Sequence, residues 1–287
     1  MSTASKSIQV EDGVVSTDAS NFVQAIERIR RYKLRGLWIR PGGVNTGSGP
    51  PVIDLSLLNE VPFLTDFGIS DSVPLKQITG FDTIYQLSKL KKLALHTYKR
   101  LDLSQFPKVE TLFVTDAPGL SNLETLSELR YARISKLRTE DLSFLSGTRK
   151  LTELWIIRAA GKSLRRLDSS PALSTLDISY CSKLQEIKTL PKSLVKLKIK
   201  KCPKLRVLSF LAGHPTLEFL YVDVMRTVDF VPGLRRLSYI GFENVLDGDL
   251  QPLVKSASLR DVGFYPAKRK HYTHSLAELK QILAAKK

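Results

Sequence analysis

Two cysteines, four histidines and one glycine- and proline-rich stretch are the places where this 287-residue chain could carry covalent, metal or phosphate chemistry. His271 and His274 stand close together, but without cysteine neighbours they make a poor pair of metal ligands. In PGGVNTGSGPP (41–51), Gly42 and Gly47 have the separation of a phosphate-binding loop. Ser48 stands where the charge-bearing lysine belongs, so the stretch reads as a loop joining two structural elements. No Ser-His-Asp order, metalloprotease helix or paired-carboxylate motif rises above background. No catalytic residue, metal or cofactor is therefore assigned, and the chain is not expected to be an enzyme.

Recognition by side chains remains, and it needs a scaffold to present them. A six-residue frame of the form Leu-x-x-Leu-x-Ile/Leu/Val, with apolar residues at its first, fourth and sixth positions, begins at Leu34, Leu64, Leu90, Val109, Leu129, Leu151, Leu173, Leu194, Leu217, Leu234 and Leu259, in steps that average 22.5 residues. The sixth position is β-branched in eight of these frames. A leucine followed two places on by a β-branched residue suits a short strand with alternate side chains buried. A fixed period of this length is the mark of a solenoid. The frame extends furthest in LSTLDISYCSKLQEI (173–187) and LVKLKIKKCPKLRVL (194–208), which place Cys181 and Cys202 at the same point of adjacent repeats. At an inter-strand spacing of about 5 Å the two lie within disulfide reach. Two inward-facing free thiols acting as small apolar residues are the favoured reading.

At these residues the chain resembles the leucine-rich repeat superfamily, in the variety with Leu-x-x-Leu-x-Ile-x-x-Cys-x-x-Leu, over roughly 34–264. The resemblance implies an α/β solenoid, a leucine-rich repeat horseshoe with one parallel β-sheet of about eleven short strands, and a usual role in binding other proteins. The ninth position, normally Asn or Cys, is Ala117, Leu137, Ala159, Met225 and Phe242 in other repeats, so the side chain-to-backbone ladder is expected to be largely missing. The convex segments lack a 3.6-residue apolar period and carry Pro or Gly, as in SQFPK (104–108), which predicts 3₁₀ and extended pieces with one helical turn near 139–146. Phe22, Ile26 and Ile29 predict a short amphipathic helix over 20–33. Ser275 with Glu278 forms a capping box ahead of Leu276, Leu279 and Leu283, and Lys286 and Lys287 complement the helix dipole. The expected organisation is an N-terminal cap (1–33), a repeat solenoid (34–266) and a C-terminal capping helix (267–287), one structural domain in all.

The partner is constrained by charge. Lys and Arg number 44 against 28 Asp and Glu, a net charge of +16. Glu11, Asp12, Asp18 and Glu27 interrupt the start of the chain where a signal peptide needs an apolar run, and no 18-residue apolar run follows, so a cytoplasmic protein with no membrane partner is expected. Frame positions three, five and seven point out of the concave sheet. Their middle row reads Trp38, Gly68, Ala94, Phe113, Arg133, Trp155, Asp177, Lys198, Tyr221, Ser238 and Gly263. Tyr131, Glu153 and Phe219 lie on one flank, Ile157 and Asp223 on the other.

Exposed aromatics among Arg and isolated carboxylates have the composition of an interface centre. Phe113, Tyr131, Arg133, Trp155, Asp177, Lys198, Phe219 and Tyr221 are the expected partner-binding residues, with Trp155 as an anchor offering apolar area and an indole donor. Across the three rows seven cations, Arg236 among them, face five carboxylates, so most of the positive charge lies elsewhere. It collects in loops, at Lys162, Arg165, Arg166, Lys183, Lys188, Lys192, Lys201, Lys204 and Arg206. Such an edge can steer an acidic partner. These readings point to a non-enzymatic protein-binding protein, a stoichiometric inhibitor of the immunity type or an adaptor. A nucleic-acid-associated protein using the basic edge is the alternative.

Overall fold

Asp12 and Gly13, both in the left-handed region at φ 48° and 74°, make the two-residue turn of a hairpin that the leucine frame does not reveal. The hairpin joins β1 (Gln9–Glu11) to β2 (Val14–Thr17), which pair antiparallel. In the computed structural model the described residues are 8–42, 51–96, 98–116, 118–267 and 269–286. The centre of the glycine-rich loop, Ala117 and Lys287 lie outside them. The chain divides into two compact units, Met1–Ala132 and Arg133–Lys287.

In the first unit, β2 is followed by α1 (Phe22–Tyr32), which buries Phe22, Ala25, Ile26 and Ile29. Lys33 ends α1 in the left-handed region, its N–H donating to the Ile29 carbonyl. The chain then enters β3 (Gly36–Ile39), β4 (Asp66–Ile69), β5 (Lys92–Leu95) and β6 (Thr111–Thr115), which run parallel and in register from β2 onward. Between strands the backbone forms 3₁₀ turns. Asp54 and Asp102 start two of them by accepting from the N–H of Ser56 and Ser104, each at 3.0 Å. The Ser104 and Asn122 side chains bond the Asp102 carboxyl as well and hold its pKa down at about 2.

β7 (Tyr131–Ser135) contains the boundary between the units. The second unit continues with β8 (Glu153–Ile157), β9 (Thr175–Ser179), β10 (Lys196–Lys200), β11 (Phe219–Met225), β12 (Tyr239–Val245) and β13 (Asp261–Phe264), again parallel. Its core is a register of rows. Leu154, Leu176, Leu197, Leu220, Ile240 and Val262 follow one another and are all 0% exposed. Phe242 and Phe264 end the next row with rings stacked at 4.9 Å. The convex side carries 3₁₀ turns, including Ser143–Gly147, and one short helix, α2 (Gln251–Lys255), with Pro252 in its first turn. The last helix, α3 (Leu276–Ala284), has the capping box and buries Leu279 and Leu283. Lys286 donates to the carbonyls of Val254 and Ser256 at the C-terminal end of α2, so its charge serves a neighbouring helix.

Among the described residues these strands number thirteen rather than the expected eleven, the hairpin supplying the additional two. One frame is also misplaced. Tyr239 pairs with Phe219, so the tenth frame starts at Leu237 and not at Leu234. Leu234 is fully buried too, but it sits at the turn three residues before the frame, the place that Val61, Leu87, Phe106 and Leu126 fill elsewhere. Two buried leucines three apart satisfied the same pattern. None of the described helices is long and apolar enough to cross a membrane.

Candidate protein interface

Because frame positions one, four and six turn inward, three, five and seven leave the open side of each sheet. In the second unit the middle row runs Trp155, Asp177, Lys198, Tyr221, Gly241, Gly263 in direct register. The guanidinium of Arg133 lies 6.0 Å from the Trp155 ring centroid. The indole Nε1 donates to Glu153 Oε1 at 2.7 Å, so the donor expected to face a partner is engaged within its own strand. Asp177 neighbours Lys198 as the frame requires, yet it is only 5% exposed and its carboxylate accepts from the Ser179 hydroxyl.

Further along, the Phe219 and Tyr239 rings stack at 4.8 Å and 13°. Lys196 and Lys198 hold their Nζ atoms 5.0 and 6.0 Å from the Phe219 ring, and Lys200 lies 5.7 Å from that of Tyr221. Sequence reasoning missed Tyr239 because the frame at Leu234 put Ser238 in the row. The corrected register puts Gly241 there, and it explains why the tyrosines lie flat. A Cβ at Gly241 would come 2.8 Å from Tyr221 Cδ2, and one at Gly263 would come 2.6 Å from the Tyr239 hydroxyl. The rings cover the bare backbone of these glycines. Burial, with the Asp223 and Glu243 carboxylates adding to it, pushes the Tyr221 phenol up to about 12.

The correction also changes the charge. Arg236 leaves the outward rows and Glu243 enters, so six cations now face six carboxylates. The basic loop residues from Lys162 to Arg206 are all exposed.

The first unit has its own patch. Phe113 and Tyr131 pack with ring centroids 5.3 Å apart, and Lys92 lies 5.7 Å from Phe113. Trp38 covers Gly68, where a Cβ would come within 2.5 Å of the indole. The eight expected residues thus divide: Phe113 and Tyr131 in the first unit, and Arg133, Trp155, Asp177, Lys198, Phe219 and Tyr221 in the second.

Cys181 and Cys202 are free and buried. Where they occur, the side chain-to-backbone ladder is present. Ala159 N–H donates to Cys181 Sγ at 3.2 Å, and the thiols of Cys181 and Cys202 donate to the carbonyls of Ser179 and Lys200 at 3.4 and 3.3 Å. The hydrogen bond with Cys181, together with burial, raises the pKa of Cys202 and keeps it protonated. Because both thiols are buried, unfolding without reductant should release two titratable thiols per chain to a chromogenic disulfide reagent, and none while the chain is folded. An unfolded chain with no reactive thiol would mean a disulfide. His271 Nε2 lies 3.2 Å from the Val245 carbonyl, 26 residues away in the chain, and His274 Nδ1 3.0 Å from the hydroxyl of its neighbour Thr273. Among the described residues no three metal-ligating side chains gather.

No protein-family model matches the sequence, and no curated protein matches it. Solved structures do. An internalin from Listeria monocytogenes is 17% identical with a TM-score of 0.54, over 88% of this chain and 73% of that one. An internalin C2 from the same organism is 17% identical with a TM-score of 0.37, over 74% and 76%.

Proposed function

We propose that this leucine-rich repeat protein binds a protein partner on the open sheet face of its second unit, as a stoichiometric inhibitor of the immunity type or as an adaptor. The observation that carries the proposal is the in-register row through Trp155, Lys198 and Tyr221, flanked by Arg133 and the Phe219–Tyr239 stack. Aromatic rings with Arg at the centre of a patch are the groups that dominate binding energy. Some of the aromatic area is accounted for by glycine cover, as at Tyr221 and Tyr239. Trp155 has Asp177 on the next strand instead, so its ring is the better anchor. A face on which four cations, Arg133, Lys196, Lys198 and Lys200, meet five carboxylates, Glu153, Asp177, Asp223, Glu243 and Asp261, suits a partner of mixed surface charge better than a polyphosphate.

The exposed lysines of the loops act at longer range. Lys183→Glu and Lys204→Glu should each lower the association rate for a partner retained from the native host's extract, with little change in dissociation. Binding should persist from low to moderate salt. A fall of about 10³-fold or more over that range is the behaviour of a protein that neutralises many phosphates, and it would transfer the function to nucleic acid on the basic edge.

A further inference from the structure

After the strand in four successive repeats, the chain turns away at frame position eight through a residue in the left-handed region. These are Lys136, Arg158, Tyr180 and Lys201, at φ 58°, 57°, 60° and 53°. In the first three, the N–H of that residue donates to a carbonyl of the next repeat: Ile157 at 2.7 Å, Ser179 at 2.9 Å and Lys200 at 2.9 Å. The ninth repeat breaks the series. Its position eight is Val224, whose β-branch excludes the left-handed region, and β11 runs on to Met225, pairing Val224 with Asn244. Lys201 turns away while its neighbour continues straight. Its N–H then donates to the Asp223 carboxylate Oδ2, at 2.6 Å, in place of a main-chain carbonyl.

The two backbones part there, and the gap between them is a cavity of about 380 Å³. Ile199, Pro203, Val222 and Val224 give it an apolar lining, and Tyr180, 56% exposed, stands at its mouth. The acidic groups in it are already engaged: Asp223 by the Lys201 N–H, and Glu243 by the Lys201 ammonium at 4.0 Å. What is left open is apolar. Lys201 lines it, the preceding Lys200 holds its Nζ 5.7 Å from the Tyr221 ring, and Asp223 and Glu243 belong both to the lining and to the outward rows of the sheet.

We infer that this cavity receives an apolar side chain of the partner polypeptide, of phenylalanine size, next to a carboxylate that pairs with Lys200. The inference rests on the protein-binding reading above and names the partner's anchor. Its volume is that of a small-ligand site, larger than one aromatic ring and open at one side. With Asp223 and Glu243 held by Lys201, the Lys200 ammonium over the Tyr221 ring is the charge that selects an acidic neighbour.

The test uses three capped dipeptide amides, N-acetyl-Phe-Glu-amide, N-acetyl-Phe-Lys-amide and N-acetyl-Gly-Glu-amide, titrated into the isotope-labelled full chain while the backbone amide shifts of Cys202, Val222 and Val224 are followed. The Phe-Glu probe is expected to saturate, binding at least about tenfold more tightly than the Gly-Glu probe and more tightly than the Phe-Lys probe. Val224→Phe, which fills the cavity with a residue that suits a strand, should abolish the saturation, and Tyr180→Ala at the exposed mouth should weaken it. Thermal melting of both variants shows whether the fold is kept; should Val224→Phe not fold, the Tyr180→Ala result decides. Shifts without saturation, tighter binding of the Phe-Lys probe, or saturation unchanged in the folded variants would overturn the inference. Trp155→Ala should leave the dipeptide titration unaltered, so failure of the cavity and failure of the open face are read separately.

Discussion

Leu176→Ala or Leu197→Ala is expected to lower the free energy of unfolding by about 2 to 5 kcal/mol, the range found when a buried leucine leaves a cavity. Both side chains are 0% exposed, and they pair with each other in the register. Leu176 also pairs with Leu154, and Leu197 with Leu220, so each is enclosed by a leucine on the coil before and a leucine on the coil after. In a solenoid each coil touches only its neighbours. A cavity made here can close only if two hydrogen-bonded backbones move together, which places the cost in the upper part of the range. Lys198→Ala, in the same strand as Leu197 but pointing outward, is the control and should fall within about 0.5 kcal/mol of zero. Urea unfolding would read the difference as a lowered midpoint with an unchanged slope. Losses below about 0.5 kcal/mol in both leucine variants would show that the row is not the core.

What the sequence made legible followed from a single physical rule, that a coil of this kind buries a leucine, a second leucine and a β-branched residue at fixed spacing. That rule located every strand from β3 to β13 except β12. At β12 it failed because Leu234 and Leu237 are both buried, one in the turn and one in the strand, and a pattern of apolar positions cannot tell them apart. A preference for even steps could have done so: starting at Leu237 makes the flanking steps 20 and 22 residues instead of 17 and 25. The N-terminal hairpin was missed for another reason. Its signal is Asp12-Gly13 between two Val-containing segments, a two-residue turn motif that carries no leucine.

The candidate face was legible as rows but not as contacts. That Trp155 lies beside Asp177 follows from the register, whereas the indole bond to Glu153 and the Asp177–Ser179 bond depend on rotamers that spacing does not determine. The cavity beside Cys202 is the subtler case. Its cause, valine at a position where four earlier repeats hold Lys, Arg, Tyr and Lys, is visible in the sequence only once that position is known to be left-handed.

Trp155→Ala should cost about 2 kcal/mol or more of partner binding, about a thirtyfold loss in affinity. The ring stands on the open side of β8, half-buried, with the Arg133 guanidinium 6.0 Å from its centroid and the Glu153 carboxylate holding its N–H. Those contacts fix one rotamer in advance, so little side-chain freedom is lost when a partner covers the ring. Stability should change little, because the leucine and isoleucine of the same strand, Leu154 and Ile156, carry the core and the indole does not. Trp155→Phe separates the two chemistries of the side chain. Since the N–H is already bonded to Glu153, phenylalanine should retain most of the affinity; a loss as large as that of alanine would mean that the indole donor reaches the partner after all. Calorimetry on the retained partner with wild type, Trp155→Ala, Trp155→Phe, Lys183→Glu and Lys204→Glu would decide between the faces. Normal binding by Trp155→Ala, alongside binding abolished by the loop reversals at moderate salt, would move the site from the sheet to the basic edge.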